Sequence, residues 1–114
     1  SGTKTGTWNK IPAVDYIFTN CATINSNGSL TITAGNNIKF NNGYNLSVYG
    51  TLTAIGTSSE KINFTRKDSS SAWQGLKFQN NSYGNLKYCT IEYATIYSSS
   101  GIFAYSGSTL NLDN

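Results

Sequence analysis

The sequence predicts an all-β fold: a right-handed parallel β-helix, a three-sheet solenoid of about four rungs. Three observations lead there. First, apolar residues alternate with polar ones in runs of only three or four residues, each closed by Gly, Thr, Ser or Asn. The stretch 45–65, NLSVYGTLTAIGTSSEKINFT, holds three such runs, at 46–48, 52–54 and 62–64. Strands so short do not make a stable sheet alone. They are useful if each lies on an equivalent run from the next pass of the chain. Second, the runs recur in a fixed order. Third, the composition can support a core without helices. Hydrophobic residues are 38% and charged residues only 11%, well below a usual globular share, with 11 Gly and one Pro.

In chain order, residues 1–15 fit the repeat poorly and are expected to form an N-terminal cap. Trp8 and Ile11 would cover the open end of the first rung, because an open rung leaves backbone and core side chains unpaired. Residues 16–114 form the rungs, as one domain. The first column comprises 30–32, 52–54, 86–88 and 110–112, each opening on Leu. The second comprises 17–18, 38–40, 62–64 and 91–93, each opening on Ile. The third comprises 22–24, 46–48, 76–78 and 102–104. The columns repeat with a period of roughly 22–30 residues, and the excess falls in loops at 56–61, 67–74 and 79–85, as insertions in solenoids do. Parallel crossovers take the right hand by default. An antiparallel sandwich would also use short strands, but it would not produce an ordered three-column recurrence.

Alternation places Ile24, Leu30, Ile32, Ile38, Phe40, Leu46, Val48, Leu52, Ala54, Ile62, Phe64, Leu76, Phe78, Leu86, Tyr88, Ile91 and Tyr93 inward. Burying each contributes ~1.5–3 kcal/mol. Cys21 and Cys89 fall about three rungs apart, and at ~4.8 Å per rung they lie beyond disulfide reach. Two unpaired thiols are expected, Cys89 buried.

Several stretches strengthen the fold assignment: TITAG from Thr31, IKF from Ile38, YNLSVYGTLTA from Tyr44, GT from Gly56, INFT from Ile62, WQGLKF from Trp73 and LKYCTIEYA from Leu86. They resemble the right-handed β-helix repeats of bacterial surface and secreted proteins, of the pectin-lyase-like fold class. The resemblance covers residues 16–112. It implies an extracellular, secreted or cell-surface bacterial setting. Modules of this kind occur in adhesins, extracellular enzymes and filament or surface-layer components.

The enzymes of that class use Asp/Glu clusters that bind calcium, with Arg or Lys as base, or paired acids. Here the carboxylates are Asp15, Glu60, Asp68, Glu92 and Asp113, and no two share a face on neighbouring rungs. Glycoside hydrolysis needs two carboxyls roughly 5–9.5 Å apart; Glu60 and Asp68, flanking one strand, are the nearest approach to such a pair. There is no His, the commonest general base and transition-metal ligand. No catalytic residue, metal site or cofactor is expected. The eight Lys and Arg against five Asp and Glu give a net charge of +3, but they are scattered, whereas nucleic-acid binding wants a clustered basic face. No apolar run reaches the ~18 residues of a membrane helix. Asn27, Asn45, Asn63 and Asn80 open glycosylation sequons, matches that chance supplies in so Asn- and Ser-rich a chain.

Two outward patterns remain. The first column carries Thr31 and Thr33, then Thr51 and Thr53, a row broken at Lys87; Thr is simply a good solvent-facing strand residue. The third column carries Ser47 and Tyr49, Lys77 and Gln79, then Phe103 and Tyr105, with Tyr44 and Tyr83 in nearby turns. Exposed aromatics among Asn and Gln suit stacking on sugar rings or a protein contact. Tyr44, Tyr49, Tyr83, Phe103 and Tyr105 are therefore the candidate ligand-binding residues, with polysaccharide as the candidate ligand. The last first-column strand, at Leu110 and Leu112, is expected to present an unpaired edge. With Trp8 and Ile11 at the other end, it would stack on a neighbouring subunit or on further rungs. The expected function is a non-catalytic structural or adhesive module that self-associates end to end. The alternatives are a carbohydrate-binding module and a portion of a polysaccharide lyase or hydrolase.

Overall fold

A computed structural model describes residues 5–9, 16–18, 21–41, 43–68, 73–93, 102–104 and 109–113. The side chains of Trp8 and of residues 102–104 and 109–113 lie outside that description. Thirteen strands occur among the described residues, and they fall into three sheets. β1 (Gly6–Trp8), β4 (Ser29–Ile32), β7 (Thr51–Ile55), β10 (Tyr83–Lys87) and β13 (Thr109–Asp113) form the first sheet, in that order. β2 (Tyr16–Phe18), β5 (Asn37–Phe40), β8 (Ile62–Arg66) and β11 (Cys89–Ile91) form the second. β3 (Ala22–Ile24), β6 (Asn45–Val48), β9 (Gly75–Phe78) and β12 (Ile102–Ala104) form the third. Every pairing is parallel and joins a strand to its equivalent one pass away. The molecule is a parallel β-solenoid.

The strands are short because each pass must turn three times. Their burial alternates along the chain, as in β5, β6 and β7, where every second residue is buried. The buried residues form one core: Leu30, Leu52, Leu46, Ile38, Ile62, Phe64, Leu76 and Phe78 are completely inaccessible, with Leu86 nearly so. Phe18, Ala22 and Trp73 join it. Outside, side chains also pair between rungs. Asn37 and Asn63 face each other across β5 and β8, and Asn63 Nδ2 donates to Asn37 Oδ1 at 2.8 Å. Two of the asparagines that open sequons, Asn45 and Asn63, thus sit in strands with their amides engaged.

The third column has the expected register: Leu46 lies on Ala22, Leu76 on Leu46 and Ile102 on Leu76. The other two columns depart from it by two residues at specific places. In the first, Gly84 rather than Leu86 lies on Leu52, and Leu86 lies on Ala54. In the second, Phe64 rather than Ile62 pairs with Ile38, and Cys89 rather than Ile91 pairs with Ile62. At the start of that column Phe18 is buried against Phe40, and Ile17 faces out beside Lys39, 46% exposed.

These shifts overturn two of the expected core positions. Tyr88 and Tyr93 are not inward. Tyr88 is the only residue between β10 and β11, and it makes the corner in a left-handed conformation, φ 52°. Tyr93 follows β11 with φ 61° and is 53% exposed. Both lie past the end of the strand that was expected to hold them. The same shift removes Lys87 from the threonine row. Thr7, Thr31, Thr53, Asn85 and Asn111 occupy equivalent positions in five successive strands, while Lys87 lies on Ile55.

The segment expected to cap the N-terminal end contributes β1, which pairs with β4 through Gly6 on Leu30 and Trp8 on Ile32. β1 is an end strand of the first sheet, and β13 is the other. Ile11 lies outside the described residues.

Candidate binding recess at a shortened corner

The corner between the third and first sheets is not built from the same number of residues on every pass. Between β3 and β4 the chain spends residues 25–28, and between β9 and β10 residues 79–82. Each of these closes as a turn: Gly28 N donates to Asn25 O at 2.8 Å, and Ser82 N to Gln79 O at 3.1 Å. Between β6 and β7 only Tyr49 and Gly50 are present. That corner is cut short, and the passes on either side of it carry the longer turns.

The short corner is fastened tightly to the turn preceding it. Tyr49 N donates to Ile24 O at 2.8 Å, and Thr51 N donates to Gly28 O at 3.1 Å. Tyr83 N donates in turn to Gly50 O at 2.9 Å. Gly50 is buried. A Cβ there would lie 2.2 Å from the backbone oxygens of both Asn25 and Gly28. Only glycine lets the two corners approach so closely.

Beside the shortened corner is a recess of about 440 Å3, lined among the described residues by Asn25, Ser26, Asn27 and Tyr49. That lies within the ~300–1,000 Å3 usual for small-ligand sites, although this one is open to solvent. Tyr49 is 45% exposed there, and Asn25, Ser26 and Asn27 are exposed. The recess is aromatic on one side and amide- and hydroxyl-bearing on the other, with no charged side chain among the described residues that line it.

Among the described residues, Tyr49 is the aromatic side chain singled out by the sequence that lines this recess. Tyr83 opens β10 in register with Thr51 and Thr109, 37% exposed. Tyr44 is half-buried at a different corner, between β5 and β6, where its carbonyl accepts Gln74 N at 2.8 Å. Phe103 stands in register with Lys77, and its side chain lies outside the described residues. Tyr105 lies outside them too, as do the side chains of Trp8, Leu110 and Leu112. The sequence marks neither Asn25 nor Ser26, and marks Asn27 only as the start of a sequon. Their signal in the sequence is the four-residue spacing 25–28 against the two-residue spacing 49–50.

Trp73 falls in the loop expected at 67–74, yet it is fully buried. Its ring stacks on Phe40 at 4.2 Å and 11°, and Phe40 meets Phe18 edge-on at 4.6 Å. Trp73 Nε1 donates to Glu92 O at 2.7 Å, and Glu92 N donates to Phe64 O at 3.0 Å. The loop therefore returns a side chain to the core just where β8 ends on Arg66 instead of an apolar residue. The Arg66 guanidinium sits 3.7 Å from the centre of the Tyr93 ring, a cation–π contact.

Glu60 and Asp68 lie beyond opposite ends of β8. Among the described residues, no group of three or more His, Cys, Asp or Glu is placed to hold a metal ion. Lys39, Lys77 and Lys87 belong to three different sheets. Among the described residues no helix is long and apolar enough to cross a membrane.

Neither cysteine is joined in a disulfide. Cys21 is exposed. Cys89 is half-buried, its Sγ 3.3 Å from Ala54 O and 3.5 Å from Lys87 O. Burial pushes the Cys89 thiol from 9.0 up to about 11, against a smaller downward pull from the Lys87 backbone bond.

No family model matches the chain, and neither the curated proteins nor the solved structures contain a match to it.

Proposed function

We propose that this chain is a non-catalytic structural module of the pectin-lyase-like β-helix class, working outside the cell and joining end to end with further parallel rungs. The observation that carries the reading is the register of the sheets. Thirteen strands run parallel, and the first sheet ends on β1 and β13, each paired on one side among the described residues. The outer edge of a parallel strand is a template for another strand, and a solenoid grows by adding equivalent passes. The same register fits either a second copy of the chain or further rungs of the same polypeptide. The secreted or cell-surface setting rests on the resemblance of the repeats.

Sedimentation velocity over about a hundredfold range of concentration tests self-association, because its extent follows mass action. The expected result is a sedimentation coefficient that rises with concentration, with ordered fibres at the upper end. A strictly monomeric protein throughout that range would rule out stacking between copies.

A further inference from the structure

The geometry points to the recess at Tyr49 as a binding site for one neutral sugar ring of a glycan chain. The inference stands apart from end-to-end assembly, because the recess lies on the side of the solenoid and not on an end strand. A two-residue corner, Tyr49 and Gly50, follows the four-residue turn 25–28, and the recess lies between Tyr49 and the Asn25, Ser26 and Asn27 of that turn. Gly50 holds the corner down on Asn25 and Gly28, and only the side chain of Tyr49 projects from it into the recess.

The lining chemistry selects the ligand. A pyranose has a C–H face that is apolar and a rim of hydroxyls that both donate and accept. The Tyr49 ring, nearly half exposed, offers the flat apolar partner. The amides of Asn25 and Asn27 each offer donors and an acceptor, and Ser26 adds a hydroxyl. Among the described residues, none of these four side chains is engaged in a hydrogen bond. Their hydrogen-bonding capacity is therefore available without breaking an internal contact. Among the described residues no lining side chain carries a charge, so they offer a uronic acid no cation here. A nucleotide base could stack on Tyr49 equally well, but its phosphates would need clustered basic residues, which the described residues of this corner do not supply. The volume suits one or two rings, not a long buried chain.

The test is a titration of 15N-labelled full chain with neutral cello-, manno-, galacto- and chito-oligosaccharides, and with oligogalacturonate as the anionic comparison. We expect the amide signals of residues 25–28 and 49–51 to shift saturably with at least one neutral oligosaccharide. Tyr49→Ala should weaken that binding at least about tenfold, whereas Tyr49→Phe should retain it within about threefold. Tyr83→Ala, outside the recess, should bind as the parent does. Far-UV circular dichroism and thermal melts establish that each variant is folded. The inference is overturned by no saturable shift with any neutral oligosaccharide at millimolar concentration. It is equally overturned by shifts confined to other rungs, by unchanged binding in folded Tyr49→Ala, or by tighter binding of oligogalacturonate. Sedimentation is unaffected by these outcomes, so end-to-end assembly and sugar binding fail or succeed separately.

Discussion

At Gly50 the absence of one methyl group decides how two passes of the chain meet. The position a Cβ would take is 2.2 Å from two backbone oxygens, and neither belongs to a side chain that could swing away. Gly50→Ala should therefore cost at least ~3 kcal/mol, the upper range for overpacking a filled site, measured as a fall in urea midpoint. If the recess at Tyr49 depends on the tight corner, the same variant alters it. Cys89 acts through its proton. Its folded value, about 11, lies above the unfolded 9.0. The neutral thiol is the form that the fold accepts, so its contribution is complete below pH ~9 and is lost as pH rises from there through 11. The urea midpoint should fall across that window in the parent protein and fall less in Cys89→Ala. Exposed Cys21 should be alkylated first at pH 8, with Cys89 protected until unfolding, since the thiolate is the reactive form.

At the scale of elements, the informative piece is the connection after β8. The column-two ladder runs Phe18, Phe40 and then Arg66 by register, and a guanidinium cannot continue an aromatic stack in the core. The insertion solves this by sending Trp73 back onto Phe40 and tying its indole N–H to Glu92 O. One side chain thus packs on one pass and hydrogen-bonds to another. Trp73→Ala should destabilise by ~3–5 kcal/mol, as large aromatic truncations in cores do. Trp73→Phe keeps most of the stack and loses the hydrogen bond, for a smaller loss of ~1 kcal/mol. Chemical denaturation of both variants separates packing from bonding; equal losses would mean that the hydrogen bond dominates. Trp73 was hard to read from sequence because no period marks it. It lies in an insertion, and only the neighbouring Arg66 at an inward register hints that something else must fill the space.

For the whole molecule, stability and assembly both follow from nearest-neighbour stacking. Prolines placed in β13 probe the outer edge. Consecutive N–H groups of a strand point to opposite sides, so Asn111→Pro and Leu112→Pro remove one bond facing β10 and one facing outward. We expect one variant to lose stability, and the other to keep its melting temperature but lose concentration-dependent sedimentation. Two variants that both associate like the parent would argue against pairing through β13. The ordering of strands into three parallel sheets was legible in the sequence, because the core repeats on every pass. The recess was half legible: alternation and exposure identified Tyr49, but its partners Asn25, Ser26 and Asn27 become neighbours only when the two corners are laid one on the other.

The division between sequence and tertiary structure follows from the period of a strand. Side chains alternate with period two, so a one-residue slip would exchange core and solvent faces and is strongly resisted. The apolar alternation thus determined, without coordinates, that Leu30, Leu52, Phe64, Phe78 and Leu86 face inward, and all five are buried. A slip of two residues keeps every face and leaves the alternation unchanged. Nothing in a strand's own pattern distinguishes Leu86 over Leu52 from Leu86 over Ala54. That choice belongs to the corners: one residue at Tyr88, two at Tyr49 and Gly50, four at 25–28 and at 79–82. Corner lengths set where each strand begins, and they were decided by how backbone oxygens, a buried glycine and a left-handed tyrosine fit against the adjacent pass. The shortened corner, beside which the recess at Tyr49 lies, comes from that fit.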